Sequence, residues 1–402
     1  MITLAAPALC NGCSACSAVC PNGCIEFVRD SRGFLYPEIL PEKCLECHVC
    51  EKTCPVLNPR SAKPSFCRVL AVKNKNDEER MAGSSGGFFP ALARRFVEEG
   101  GIVFGAAWMS GWLVHHQSAS MQEDIAAFFG SKYLPSELGD AFRQVKVLLE
   151  QDRKVLFSGT PCQIAGLSAF LRRPYHNLLT VEVICMGVPA PRLFQRHLKE
   201  LEKQFLTGEH PEITEICFRD KSTSGGWKNY HISMWGKKSV AQEPFCFYRK
   251  PHRQDAFFRL YLQSLVLRDS CHECRIKQIA STADFTVGDA WGINEILSNF
   301  DDNQGASFVC IRTRAGEEWL EKLREKLDCR EIAYQQVCER NPSLIRSVPC
   351  SPRRKEFDAC VDSLSIRELA EKFTKPSWKV SILRKLAGLR ERIHAITKTG
   401  NI

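Results

Sequence analysis

The sequence predicts an α/β fold behind a small N-terminal unit built on cysteine ligation, α+β when the chain is taken as a whole. Three observations predict it. A four-cysteine run occurs twice before residue 60. Strand-like and helix-like periodicities then alternate from about residue 69 to 330, the pattern of an α/β core. No apolar run approaches the ~20 residues of a membrane span, and 44% hydrophobic with 25% charged residues is ordinary for a soluble globular chain.

The duplicated run comes first. Cys10, Cys13, Cys16 and Cys20 read C-x-x-C-x-x-C-x-x-x-C, with Pro21 behind; Cys44, Cys47, Cys50 and Cys54 repeat the spacing, with Pro55 behind. This is the run of two-cluster bacterial ferredoxins, in which three close cysteines wrap one 4Fe–4S cluster and the fourth ligates the other. The expected sets are Cys10, Cys13, Cys16 and Cys54 on one cluster, and Cys44, Cys47, Cys50 and Cys20 on its neighbour. Disulfides need an oxidising compartment, and the first residues lack the basic and apolar regions of a signal peptide. Zinc suits one C-x-x-C pair, not a duplicated run. Cys24 reads as a small buried side chain beside the cluster. The 21 cysteines suit a reducing cytoplasm. The formal charge of +9 counts every cysteine as neutral, and cluster-bound thiolates lower it, so it is no signal of nucleic-acid binding.

The ferredoxin-like domain covers 1–60, and a polar linker 61–68 follows. The next segment, 69–150, holds a helix over Ser85–Glu99, stopped by Gly100, and a strand over Ile102–Trp108. The segment 151–330 holds strands Lys154–Ser158 and Leu178–Ile184, helices Pro161–Arg172 and Pro191–Phe205, and strands Ile213–Phe218 and Tyr230–Trp235. Over 331–402 the pattern loosens into a C-terminal extension.

Four later cysteines stand in suggestive contexts. Thr160 caps a helix, Pro161 suits its first turn, and Cys162 therefore sits where the helix dipole favours a thiolate. Cys185 ends the following strand, and ligands gather at the carboxyl ends of such strands. Cys271 and Cys274 form C-H-E-C. One C-x-x-C and two single cysteines make a third four-thiolate site, or else two buried cysteines and an unmetallated pair. G-S-S-G-G at 83–87 opens a helix, either as a phosphate-holding loop or as a plain cap. F-R-D-K at 218–221 faces a ligand or joins two strands. His115 and His116 are a proton source or a solvent-facing strand end.

Together these stretches resemble the family of beta subunits of deazaflavin-coenzyme (F420) hydrogenases and dehydrogenases. The matching strings are G-S-S-G-G-F at 83–88, G-S-K-Y at 130–133, F-S-G-T-P-C-Q-I-A-G-L at 157–167, I-C-M-G-V-P at 184–189, F-R-D-K, C-H-E-C, and D-F-T-V-G-D-A-W-G at 284–292. The resemblance implies a flavin-binding α/β domain with a third 4Fe–4S cluster beside FAD, ligated by Cys162, Cys185, Cys271 and Cys274. It places Ser85, Gly86, Gly87, Lys132 and Thr160 near FAD, with Lys132 also the catalytic candidate. Met186 stands where many relatives carry His, altering the cluster's surroundings. The implied protein is an FAD- and 4Fe–4S-dependent oxidoreductase. It takes electrons from a ferredoxin-type donor and passes them to an organic acceptor, such as a sugar or glycan precursor of surface-polysaccharide synthesis. Two alternatives stand beside it: an electron-transfer subunit of a larger complex, and a deazaflavin coenzyme oxidoreductase.

The tail repeats Trp378, Ile382, Leu386, Leu389 and Ile393 at helical spacing among Lys379, Arg384, Lys385, Arg390 and Arg392. Such a helix either packs on the core with a solvated basic face or lies on an anionic membrane surface, a peripheral contact at the inner face.

Overall fold

The computed structural model describes residues 2–59, 67–279 and 281–375. In the N-terminal unit the sequence repeat becomes a backbone repeat. Gly12 (φ 70) and Ser14 (φ 58) flank Cys13, and Glu46 (φ 48) and His48 (φ 57) flank Cys47, so the same left-handed steps wrap each run. Helices α1 (Ala15–Val19) and α2 (Val49–Thr53) follow, and Cys20 and Cys54 end them with nearly identical backbone, φ/ψ −65/117 and −66/116. Between them, β1 (Ile25–Arg29) and β2 (Leu35–Ile39) pair as an antiparallel hairpin.

The rest centres on one nine-stranded sheet. Its first six strands are β3 (Arg68–Asn74), β4 (Ile102–Met109), β5 (Leu113–Ala119), β6 (Ser136–Glu137), β7 (Val155–Gly159) and β8 (Leu178–Val183). A separate, antiparallel small sheet follows: β9 (Glu212–Asp220), β10 (His231–Lys237) and β11 (Phe245–Pro251). The large sheet is completed by β12 (Phe285–Asp289), β13 (Ser307–Ile311) and β14 (Leu327–Glu331), in the order β14-β3-β13-β12-β8-β7-β4-β5-β6. The central four, β12, β8, β7 and β4, run parallel, and both flanks turn antiparallel next to them. Every residue of β7 is buried, as expected for a parallel strand covered on both faces.

After β3 comes the short helix α3 (Asp77–Ala82), capped by the Asn76 side chain, which accepts from Glu79 N. One face of the sheet takes α4 (Phe88–Glu98), whose Phe88, Leu92 and Phe96 meet Val72, Val103, Leu156 and Val181. The other takes α5 (Ala141–Glu150) and α6 (Pro161–Leu171), with Phe142, Ile164 and Leu167 against Phe104 and Phe157. A third core lies between α7 (Pro191–Phe205), α8 (Ala256–Leu262), the small sheet and a helix over Ile366–Thr374.

The helix expected from Ser85 starts at Phe88 instead, because Gly87 takes a left-handed φ of 77 and 83–87 stays a loop. The extension after 330 is more regular than its pattern: it holds helices over Tyr334–Arg340, Arg354–Cys360 and Ile366–Thr374. The basic amphipathic tail lies outside the described residues. Among the described residues no helix is long and apolar enough to cross a membrane.

Candidate metal and cofactor site

Cys10, Cys13, Cys16 and Cys54 converge. Burial pushes the Cys13 thiol well up and Cys16 up to about 12, and neighbouring thiols add to it, Cys16, Cys162 and Cys54 at Cys13, Cys10 and Cys54 at Cys16. Cys20, Cys44, Cys47 and Cys50 line a second cavity of about 290 Å³. Cys24 lines it too, 4% exposed, with its Sγ 3.3 Å from that of Cys20. It therefore sits buried against a candidate ligand.

Three segments bring the later cysteines together. Cys162 stands in the first turn of α6, Cys185 just past the end of β8, and Cys271 and Cys274 on the loop after α8. All four line one cavity of about 880 Å³. Burial pushes Cys162, Cys185 and Cys271 each up to about 12, with the neighbouring thiols adding to it. The helix dipole favours a Cys162 thiolate, but among four packed thiols burial outweighs it. A cationic centre held by these thiols would reverse that balance. Among the described residues, no three or more His, Cys, Asp or Glu side chains are close enough to hold a single metal ion. A cubane cluster sets its four thiolates wider apart than one ion does, so an all-sulfur set around a cavity fits a cluster better than zinc. The buried Asn11 Oδ1 has no partner beside this cavity, although its Nδ2 reaches Cys274 Sγ at 3.9 Å. Two cations flank the thiols: Lys277, held by the Cys185 carbonyl at 2.5 Å, and Arg268.

Arg268 also clamps the N-terminal unit. It is 3% exposed, donates to Cys10 O and Leu35 O, each at 2.8 Å, and stacks 4.0 Å over the Tyr36 ring. Gly12 leaves room for it, since a Cβ there would meet Arg268 Nη1 at 2.8 Å. Asn11, Gly12 and Ser14 line the third-site cavity, so the first cysteine loop forms part of its wall.

A larger cavity of about 1430 Å³ opens at the carboxyl ends of β4, β7, β8 and β12 and shares Thr160, Gln163, Cys185 and Met186 with the third site. Ser85, Gly87, Lys132 and Thr160 line it; Gly86 does not. Gly86 packs between strands: its N–H donates to Ser307 Oγ at 2.9 Å, and a Cβ would lie 2.3 Å from Val72 O. Thr160 Oγ1 stands 3.2 Å from Cys162 Sγ, between the two cavities. Lys132 Nζ donates to the carbonyls of Ala127, Phe129 and Gly130, at 2.7, 3.0 and 3.4 Å. Burial lowers its pKa to about 7. Of the paired histidines, His115 is partly exposed near Glu137, while His116 turns inward to Ser136 Oγ and Ser158 O and lines the cavity. Strand alternation, which puts neighbours on opposite faces, separates them. Arg219 and Asp289, from the F-R-D-K and D-F-T-V-G-D strings, also line it. Sequence reasoning did not single them out as site residues.

Residues 152–335 match the family described as the C terminus of the coenzyme F420 hydrogenase/dehydrogenase beta subunit, and residues 9–58 match the 4Fe-4S dicluster domain. Residues 152–335 thus carry the C-terminal domain of that family, and residues 9–58, in front of it, a dicluster domain. A coenzyme F420-dependent sulfite reductase of Methanocaldococcus jannaschii is 30% identical over 188 residues, 45% of this chain; the chain spans only 28% of that protein. A subunit of the F(420)H(2) dehydrogenase of Methanosarcina mazei is 22% identical over 332 residues, 80% of this chain and 84% of that one. A chain of the F420-reducing [NiFe] hydrogenase complex of Methanosarcina barkeri is 18% identical, with a TM-score of 0.46 over 71% of this chain and 92% of that one.

Proposed function

We propose that the chain is an iron–sulfur flavoprotein oxidoreductase that moves electrons between a ferredoxin-type donor and an organic acceptor. Cys10, Cys13, Cys16 and Cys54 would hold one 4Fe–4S cluster, Cys44, Cys47, Cys50 and Cys20 a second, and Cys162, Cys185, Cys271 and Cys274 a third. The large cavity, with Ser85, Gly87, Lys132 and Thr160 in its wall, would take FAD. Clusters carry single electrons, and a flavin exchanges them for hydride equivalents. The observation that carries the reading is the continuity of the sites: the first cysteine loop walls the third-site cavity, which in turn shares residues with the large one. Arg268 and Lys277 offset thiolate charge on that line, and Lys132 stands in the wall of the large cavity.

The names of both curated relatives carry coenzyme F420, which favours that deazaflavin as the acceptor. A glycan precursor, drawn from the resemblance alone, is the competing acceptor. That one of these relatives is a subunit of a dehydrogenase favours a second reading, a relay working within a complex. The test is anaerobic. Purified protein should carry about twelve iron atoms and one FAD, and reduced ferredoxin should reduce the flavin. Cys13→Ser with Cys47→Ser should block reduction by ferredoxin but spare reduction by dithionite. Adding F420 or a nucleotide sugar then identifies the acceptor by which one reoxidises the flavin. Protein with a full iron complement but no flavin would overturn the flavoprotein reading; equal reduction by ferredoxin in the double variant would overturn the relay.

A further inference from the structure

Arg219 stands in the wall of the large cavity with much of its hydrogen-bonding capacity unused. It lies near the end of β9 and is 7% exposed. Its Nη1 donates to Asp289 Oδ2 at 2.6 Å. Its Nε and Nη2 are buried and have no acceptor. The guanidinium carbon is 4.5 Å from the Tyr230 ring centroid and 5.8 Å from that of Trp291, which stacks on Trp227 at 4.8 Å. These rings orient the guanidinium and recover part of its desolvation through cation–π attraction, but they accept no strong hydrogen bond. Leaving a buried donor unpaired is costly, and more so on a charged group. A planar fork with free N–H groups matches the two oxygens of a carboxylate or phosphate.

A second basic side chain stands close to Arg219 in sequence, its pKa lowered to about 7 by burial. Lys221, 4% exposed, donates to the carbonyls of Arg80 at 2.6 Å and Ser85 at 3.0 Å, behind the 83–87 loop. Asp220, between these two basic residues in sequence, is taken up by Ser222, Ser233 and Arg249. Asp289 is thus the carboxylate paired with Arg219, while the neighbouring Lys221 bonds only to carbonyls.

We infer that Arg219 is an oxyanion receptor, binding through Nε and Nη2 a phosphate or carboxylate of the molecule that fills the large cavity. The inference rests on the proposal that this cavity takes FAD and an organic acceptor. The oxyanion then belongs either to the pyrophosphate of the flavin or to the acceptor.

The probe is inorganic pyrophosphate, titrated calorimetrically into cluster-loaded, flavin-free protein and again after FAD is restored. Flavin-free wild type should bind it. Arg219→Met should weaken binding roughly ten- to hundredfold, the worth of a charged hydrogen-bond pair. Arg219→Lys, which keeps the charge but not the fork, should fall between and serves if the Met variant loses iron. Exclusion of pyrophosphate by FAD assigns the oxyanion to the cofactor; binding that survives FAD assigns it to the acceptor. Equal binding by wild type and both variants, or none by flavin-free wild type, overturns the inference. A protein that takes no FAD yet binds pyrophosphate through Arg219 would overturn the flavin reading and leave this one standing.

Discussion

Gly166 tests how closely the N-terminal unit is seated on the third site. It lies in α6, one turn after Cys162. A Cβ built there would stand 3.1 Å from Cys13 Cβ and Cys13 O, and 3.2 Å from Cys13 Sγ. In an unobstructed helix, Gly→Ala gains about 0.5–1 kcal/mol. Here the methyl must displace the first cysteine loop by a few tenths of an ångström, and such overpacking costs about 1–3 kcal/mol. The difference leaves Gly166→Ala destabilising by about 0–2.5 kcal/mol. Gly166→Leu adds three more carbons toward the same loop with little further change in helix propensity, so its loss should exceed that of Ala. The assay is anaerobic guanidinium unfolding of cluster-loaded protein, with the ferredoxin-driven reduction rate measured in parallel. The Leu variant should be less stable and slower. A Leu variant as stable and as fast as wild type, or an Ala variant that is stabilised, would refute the close seating of Cys13 on α6.

Three further outcomes follow from the structure. Cys185→Ser should lower iron from about twelve to about eight per chain while the N-terminal clusters remain; unchanged iron sinks the four-cysteine assignment. Burial holds His116 at about 4, below the ~6.5 of an unfolded chain. The unfolded state then binds more protons between those values, so stability should fall as pH drops below ~6.5, by about 2 kcal/mol at pH 5. His116→Gln should flatten that slope in denaturation curves at pH 7, 6 and 5, and an unchanged slope would show that His116 is not its source. Gly86→Ala places a methyl 2.3 Å from Val72 O and 2.5 Å from Ser307 N. Both are backbone atoms in paired strands, so the variant should lose about 3 kcal/mol, at the upper end of overpacking; a normal thermal midpoint would contradict that packing.

What the sequence determines by itself is local. The C-x-x-C-x-x-C spacing dictates a tight loop, and the structure repeats its left-handed steps residue for residue at Gly12 and Ser14, and at Glu46 and His48. Three of the four parallel strands, β4, β7 and β8, were legible because burial on both faces demands apolar runs, as in V-L-F of β7, whereas β12 was not read as a strand. Pro161 and Pro191 mark the starts of α6 and α7 because a missing N–H costs nothing there. Tertiary structure decided the rest. No local pattern inserts β3 between β13 and β14, since that pairing joins strands more than 230 residues apart. The closeness of Cys162, Cys185, Cys271 and Cys274 depends on two strand ends and a loop meeting over the sheet. The outward His115 and the inward His116 are distinguished only by which face of β5 is covered. Arg219 and Asp289 come from different sheets, 70 residues apart, and their pairing, with two N–H donors left unmet, exists only once those sheets are packed. A ligand spacing is set by bond geometry within one loop; a cavity is set by what the whole chain packs around it.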